Sequence, residues 1–206
     1  VGVAAVVEAY SDLARRILDR PARLGRTRLV AVDGPSGAGK TVFAERLAGA
    51  LTVPPAMPPI VHTDDLLAGW ADQSTFWPRL EEWVLAPLRT GRPGHYRRYS
   101  WTREQFAAGW ILVPPAPVVI LEGVTAARAA VRPELSFAAF VTAPSRLRLE
   151  RALARDGATL LPFLEEWRRG ERVHFAADAV EAHADLVVDG ASGLPHEPAT
   201  QYVRLR

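Results

Sequence analysis

Residues 34–41 read Gly34-Pro35-Ser36-Gly37-Ala38-Gly39-Lys40-Thr41, the pattern GxxxxGK followed by a hydroxyl residue. Glycines at this spacing let consecutive backbone N–H groups turn inward around phosphate oxygens. A helix that starts near Lys40 adds its positive end to the same cradle. The ammonium of Lys40 reaches the β- and γ-phosphates, and the Thr41 hydroxyl ligates Mg²⁺. The chain has 25 basic residues, and Lys40 is the single lysine among them. The chemistry implied is binding of a nucleoside triphosphate with Mg²⁺.

Phosphoryl transfer also needs carboxylates, one to hold the metal or its water and one to accept the proton of the attacking hydroxyl. Asp64 and Asp65 follow the apolar run 59–63, and Glu122 ends the run 117–122. Ligands in open α/β sheets bind beyond the carboxyl ends of the strands. Glu122, on the strand expected beside the phosphate loop, suits the metal. Asp65 or Asp64 suits the base, and two adjacent carboxylates facing one site should raise one pKa.

The elements that must carry these groups alternate along the chain. Runs 28–33, 59–63, 117–122, 137–142 and 184–188 are short and apolar throughout, hence buried strands. Helical periodicity covers 3–19, 40–51, 75–85, 145–155 and 162–183. Pro87 should end the third of these helices. Thr102 and Gln105 have capping-box spacing before a short helix near Phe106. The expectation is an α/β fold: one domain over 1–206, a three-layer α/β/α sandwich on a five-stranded parallel sheet. Residues 145–156 would form a helical lid, and about 66–112 the acceptor-binding segment.

Composition narrows the function classes. The chain has 206 residues, 49% hydrophobic and 23% charged, which is ordinary globular usage. Cysteine is absent, which excludes disulfide frameworks, thiolate metal sites and cysteine nucleophiles. No apolar run approaches the roughly 20 residues of a membrane span. The apolar start, Val1 to Val7, is short and lacks a basic leader, so the expected location is the cytoplasm. A net charge of +2 is too small for a nucleic-acid coat and favours a small-molecule partner.

Six segments make the chain resemble the uridine kinase family of P-loop kinases, with its phosphoribulokinase and pantothenate kinase relatives. They are GPSGAGKT at 34–41, HTDD at 62–65, GHYRRYSW at 94–101, VVILEG at 118–123, RLRLERALARD at 146–156 and ADLVVDG at 184–190. The resemblance implies a P-loop NTPase fold with Asp65 as the catalytic base and Asp64 where the family often has glutamine. It implies that Glu122 helps organise magnesium and that lid arginines contact the phosphates. Arg148, Arg151 and Arg155 match, at i, i+3, i+7 on one helix face. Tyr96 matches a tyrosine that lines the nucleoside pocket. The family's Asp-His-Pro motif is replaced by Ala71-Asp72-Gln73-Ser74, and a pocket histidine by Trp101. The candidate acceptor contacts are thus Asp64, Asp72, Tyr96, Arg98 and Trp101. The family often forms homo-oligomers.

Trp70, Phe76, Trp77 and Trp83 crowd one segment, either as an aromatic wall for an acceptor or as a helix face packed on the sheet. The expected function is an ATP-dependent kinase for a hydroxyl of a nucleoside-like acceptor. The alternatives are a kinase for another alcohol, an ATP-binding regulatory or assembly protein, and more weakly a nucleic-acid end kinase.

Overall fold

The computed structural model describes residues 4–52 and 56–206; the apolar start at 1–3 and the proline-rich stretch at 53–55 lie outside the described residues. In chain order the strands are β1 (Val6–Ala9), β2 (Arg28–Asp33), β3 (Ile60–His62), β4 (Gly94–Tyr96), β5 (Tyr99–Ser100), β6 (Gln105–Phe106), β7 (Ile111–Val113), β8 (Val118–Glu122), β9 (Leu135–Thr142), β10 (Leu186–Asp189) and β11 (Gln201–Arg204). The helices are α1 (Tyr10–Leu18), α2 (Lys40–Ala50), α3 (Trp77–Leu80), α4 (Ala86–Arg89), α5 (Ser145–Asp156), α6 (Leu161–Asp178) and α7 (Val180–His183).

One sheet runs β1-β11-β10-β9-β2-β8-β3. Its five strands β10, β9, β2, β8 and β3 are parallel, as the apolar runs predict. The sheet is wider than expected, because β11 adds antiparallel to β10 and β1 antiparallel to β11. Helix α1 therefore starts at Tyr10 rather than near residue 3. Residues 6–9 satisfy their backbone groups across the sheet, Val6 opposite Arg204 and Ala9 opposite Gln201. That partner lies at the other end of the sequence, so no local pattern announces it.

Side chains alternate across the parallel strands and build two cores. Val30, Val32, Val118 and Ile120 face α1 and α2. Leu29, Ala31, Val119 and Leu121 face the layer built from residues 66–88 and α6. This is the three-layer arrangement. Among the described residues no helix is long and apolar enough to cross a membrane.

Two local expectations fail. Helicity continues past Pro87 to Arg89 through a wide π turn at Glu81–Leu85. A proline ring clashes with the carbonyl four residues back, here Trp83, and a π turn displaces that carbonyl. Residues 101–104 form the turn between β5 and β6 instead of capping a helix, with Glu104 at φ +50.

Register then fixes the site. Val32 pairs with Glu122, and Glu122 with His62. The phosphate loop after β2, the acid ending β8 and the acids after β3 emerge side by side at one edge.

Candidate active site

The phosphate loop is shaped by what crowds it. Gly34 has φ +138, and a Cβ there would lie 2.1 Å from the Val141 carbonyl oxygen. Gly37 has φ +76, and its Cβ would lie 2.4 Å from the backbone oxygen of Arg148 in α5. The first turn of the lid helix thus rests directly on the loop. Lys40 is 8% exposed and folds over the loop, its Nζ donating to the Pro35 carbonyl at 3.2 Å. Behind the loop, fully buried Asp33 accepts N–H bonds from Gly34 at 2.6 Å, Ala127 at 2.8 Å and Thr125 at 3.2 Å. Burial pushes its pKa up to about 6, against the pull of those donors and Lys40.

At the strand ends Thr41 Oγ1 donates to Glu122 Oε1 at 3.4 Å. The other Glu122 oxygen lies 2.6 Å from His62 Nδ1. That bond pushes the His62 pKa up, and burial opposes it. Among the described residues no three metal-ligating side chains converge. Mg²⁺ commonly takes one or two protein ligands and completes its shell with phosphates and water. Thr41 and Glu122, paired beside the loop, fit that donor set.

Two clefts meet at this edge. One, of about 610 Å³, is lined by the loop, Thr41, Asp64, Glu122, Arg151 and Arg155. It continues past Tyr10, Arg46, His196 and Tyr202. The other, of about 530 Å³, is lined by Trp70, Trp101, Phe163, Trp167 and Glu104 among others. The clefts share Ser36, Asp64 and Arg155.

Asp64 and Asp65 share one tight turn after β3 but have different surroundings. Asp64 is solvent-accessible in the clefts yet surrounded by protein. That environment pushes its pKa up, Glu122 and Asp65 push the same way, and Lys40 and Arg155 oppose. Asp65 instead pairs with Arg98 Nε at 3.0 Å and accepts from the Tyr96 hydroxyl at 3.3 Å. Burial first, then Asp65, pushes the Tyr96 pKa up.

The residues expected at the site separate accordingly. Gly34 to Thr41, Glu122, Asp64, Arg151, Arg155 and Trp101 come together around the clefts. Tyr96 and Arg98 do not line the acceptor cleft; they anchor Asp65. Asp72 is a turn residue that bonds the Ala68 N–H and Arg79, each at 2.8 Å, and the Thr75 hydroxyl at 2.5 Å. Arg148 shares a helix face with Arg151 and Arg155, but its side chain turns back toward the strand before the helix and away from the clefts. Its Nε donates to the Ala143 carbonyl at 3.0 Å, and it enters a separate cleft with Arg168 and Arg172. Arg151 remains at the first cleft, bonding the Gly37 carbonyl at 3.0 Å and the Gly190 carbonyl at 3.2 Å. Of the clustered aromatics, Phe76 joins the core and Trp70 lines the acceptor cleft.

Sequence reasoning missed two residues of α6. Glu171, 2% exposed, accepts the Ser36 N–H at 2.7 Å and the Trp167 indole N–H at 3.0 Å. Trp167 also donates to Ser36 Oγ at 2.9 Å. An isolated Trp-x-x-x-Glu pair was the only signal, and nothing local ties it to the loop.

No family model matches the chain. Two curated Arabidopsis thaliana proteins, named inorganic pyrophosphatase TTM1 and TTM2, are each 31% identical over 136 residues, which is 62% of this chain. The chain spans about one fifth of their length, 20% in each case. A solved Bacillus stearothermophilus structure, described as a possible uridine kinase, aligns over 86% of this chain and 96% of its own, with TM-score 0.63 and 18% identity. A structure from Silicibacter sp. TM1040, described provisionally as a fructose transport system kinase, aligns over 87% and 98%, with TM-score 0.60 and 21% identity. The chain shares its α/β fold, a mostly parallel sheet with helices on both faces, with these two solved structures, both described as kinases.

Proposed function

We propose that this chain is an ATP-dependent kinase that phosphorylates a hydroxyl of a small molecule. The observation that carries this reading is the meeting of two clefts at Ser36, Asp64 and Arg155: one shaped by a phosphate loop, the other by side chains suited to an organic ligand. Loop amides and Lys40 hold the triphosphate. Thr41 and Glu122 would hold Mg²⁺, which when bound neutralises charge on the phosphates. Asp64 lines both clefts and takes the proton from the attacking hydroxyl. Asp65, engaged with Arg98 and Tyr96, fixes the turn that aims Asp64. Arg151 lies over the nucleotide cleft, where it offsets charge that spreads in the transition state, while Arg155 is held by Asp156 where the two clefts meet. The acceptor is kept at a small alcohol, because Tyr96, the match to the family's nucleoside-pocket tyrosine, does not line the second cleft.

The test is ADP release with a panel of alcohols, run on the parent chain, Asp64→Asn and Asp65→Asn. Asp64→Asn should lower acceptor-stimulated turnover by about 100-fold or more with ATP binding retained. Asp65→Asn should cost less and act mainly on KM. ATP binding without acceptor-stimulated turnover would favour a regulatory role. Hydrolysis of pyrophosphate in place of phosphoryl transfer would replace the kinase reading.

A further inference from the structure

We infer that the acceptor cleft takes a cationic alcohol, a small molecule with a hydroxyl group and an alkylated ammonium. The inference rests on the kinase reading for the fate of the hydroxyl and on the walls of the cleft for the charge. Four aromatic side chains from three segments converge there. Trp70 lies 5.1 Å from Trp101, 5.8 Å from Phe163 and 5.9 Å from Trp167, centroid to centroid. Phe163 stays 50% exposed and Trp101 37%, although both belong to this cluster. These two rings thus stay partly exposed at the cleft rather than closed into the core.

The charges of the lining point the same way. Three carboxylates contribute, Asp64, Glu104 and Asp156, against one base, Arg155. That base pairs with Asp156, with Nε and Nη2 each 2.7 Å from a carboxylate oxygen, which leaves Asp64 and Glu104 as the uncompensated charges of the lining. A phosphorylated sugar or a carboxylic acid would meet uncompensated negative charge. An uncharged polyol would find mainly hydrocarbon and ring faces, with the Ser36 and Thr102 hydroxyls as the neutral polar side chains. Aromatic faces combined with excess carboxylate are the environment that attracts an organic cation, since ring quadrupoles and carboxylates add and the alkyl groups of the cation are readily desolvated.

The ligand is oriented by which end of the cleft joins the phosphate loop. Its hydroxyl lies toward Ser36 and Asp64, and its ammonium toward Phe163 and Trp101. The acceptor oxygen forms a bond to the γ-phosphorus of ATP, and the bond from that phosphorus to the β,γ-bridging oxygen breaks. The proton passes to Asp64, and ADP leaves with the electron pair of the broken bond.

Choline and its uncharged isostere 3,3-dimethylbutan-1-ol separate charge from shape. Tryptophan fluorescence of the intact chain should respond saturably to choline and to tetramethylammonium, with the isostere at least about tenfold weaker. Glu104→Gln should weaken choline by about threefold or more and leave ATP binding unchanged. In ADP-release assays choline-like alcohols should exceed uridine and anionic alcohols in kcat/KM. Equal binding of choline and the isostere, or a Glu104→Gln variant that binds choline as the parent does, overturns the inference. If uridine or a sugar is the better acceptor, the cationic acceptor falls while the kinase reading stands. If cations bind with the stated preference but no alcohol is phosphorylated, the kinase reading fails and the cation site stands.

Discussion

Replacing Glu171 tests whether α6 holds the phosphate loop or merely packs beneath it. Glu171→Ala leaves the half-buried Ser36 N–H without its acceptor, a loss of about 1 kcal/mol. Trp167 keeps a bond to Ser36 Oγ, so its indole loses only one of two acceptors. Arg148 Nη1 lies 3.9 Å from the same carboxylate in a largely buried position. Its pKa is lowered by burial, with Arg168 and Arg172 adding to that and Glu171 opposing, so removal of Glu171 leaves three arginines facing one another. The total loss should be about 2–5 kcal/mol. Glu171→Gln keeps an oxygen for Ser36 and Trp167 and removes only the charge, so about 1–2 kcal/mol is expected. If Glu171 sets the loop, some 1–2 kcal/mol of the alanine penalty should reappear as about 5–30-fold weaker ATP binding. Urea denaturation and titration with a fluorescent ATP analogue measure the two quantities. An alanine variant that loses stability yet binds ATP as the parent does would show that Glu171 only fills space.

Asp33 gives a pH dependence of defined sign. Its pKa is about 6 in the folded chain against a usual 3.8, so the folded state holds this proton more tightly than the unfolded state does. The stability from this group is fully present below about pH 4 and is lost as pH rises to about 6, by at most about 3 kcal/mol. Asp33→Asn removes that dependence, so urea titrations should show the parent's advantage over the variant shrinking between about pH 4 and pH 7. A difference that is the same at both pH values refutes the assignment. Gly37→Ala should destabilise the chain by about 1–3 kcal/mol and weaken ATP binding, since the new Cβ meets Arg148 backbone at φ +76. A thermal melt within about 1 °C of the parent would contradict this.

The parallel core and the phosphate loop were legible because their signals are local. Apolar runs of a few residues, separated by helical periods, specify buried strands whatever lies elsewhere in the chain. The glycines of 34–41 are demanded by backbone geometry within the loop and by the close approach of Val141 and Arg148. Strand β1 was read as helix because Val6–Ala9 carries no signal of its partner at Gln201–Arg204. The Thr102–Gln105 spacing fits a capping box, but the pairing of Tyr99 with Phe106 turned it into a hairpin.

The site divides along the same line. Residue type and spacing alone determined that a glycine-rich loop carrying Lys40 stands between β2 and α2 and that carboxylates stand at the ends of β3 and β8. Which carboxylate faces the clefts was decided only by tertiary structure, because Asp64 and Asp65 differ in the side chains that arrive from Tyr96 and Arg98 more than 30 positions away. The direction of Arg148, the grip of Glu171 on Ser36 and the aromatic, acidic walls of the second cleft were decided there too. Each arises where segments remote in sequence meet, and contacts of that kind leave no periodicity or motif in any one of the segments that make them.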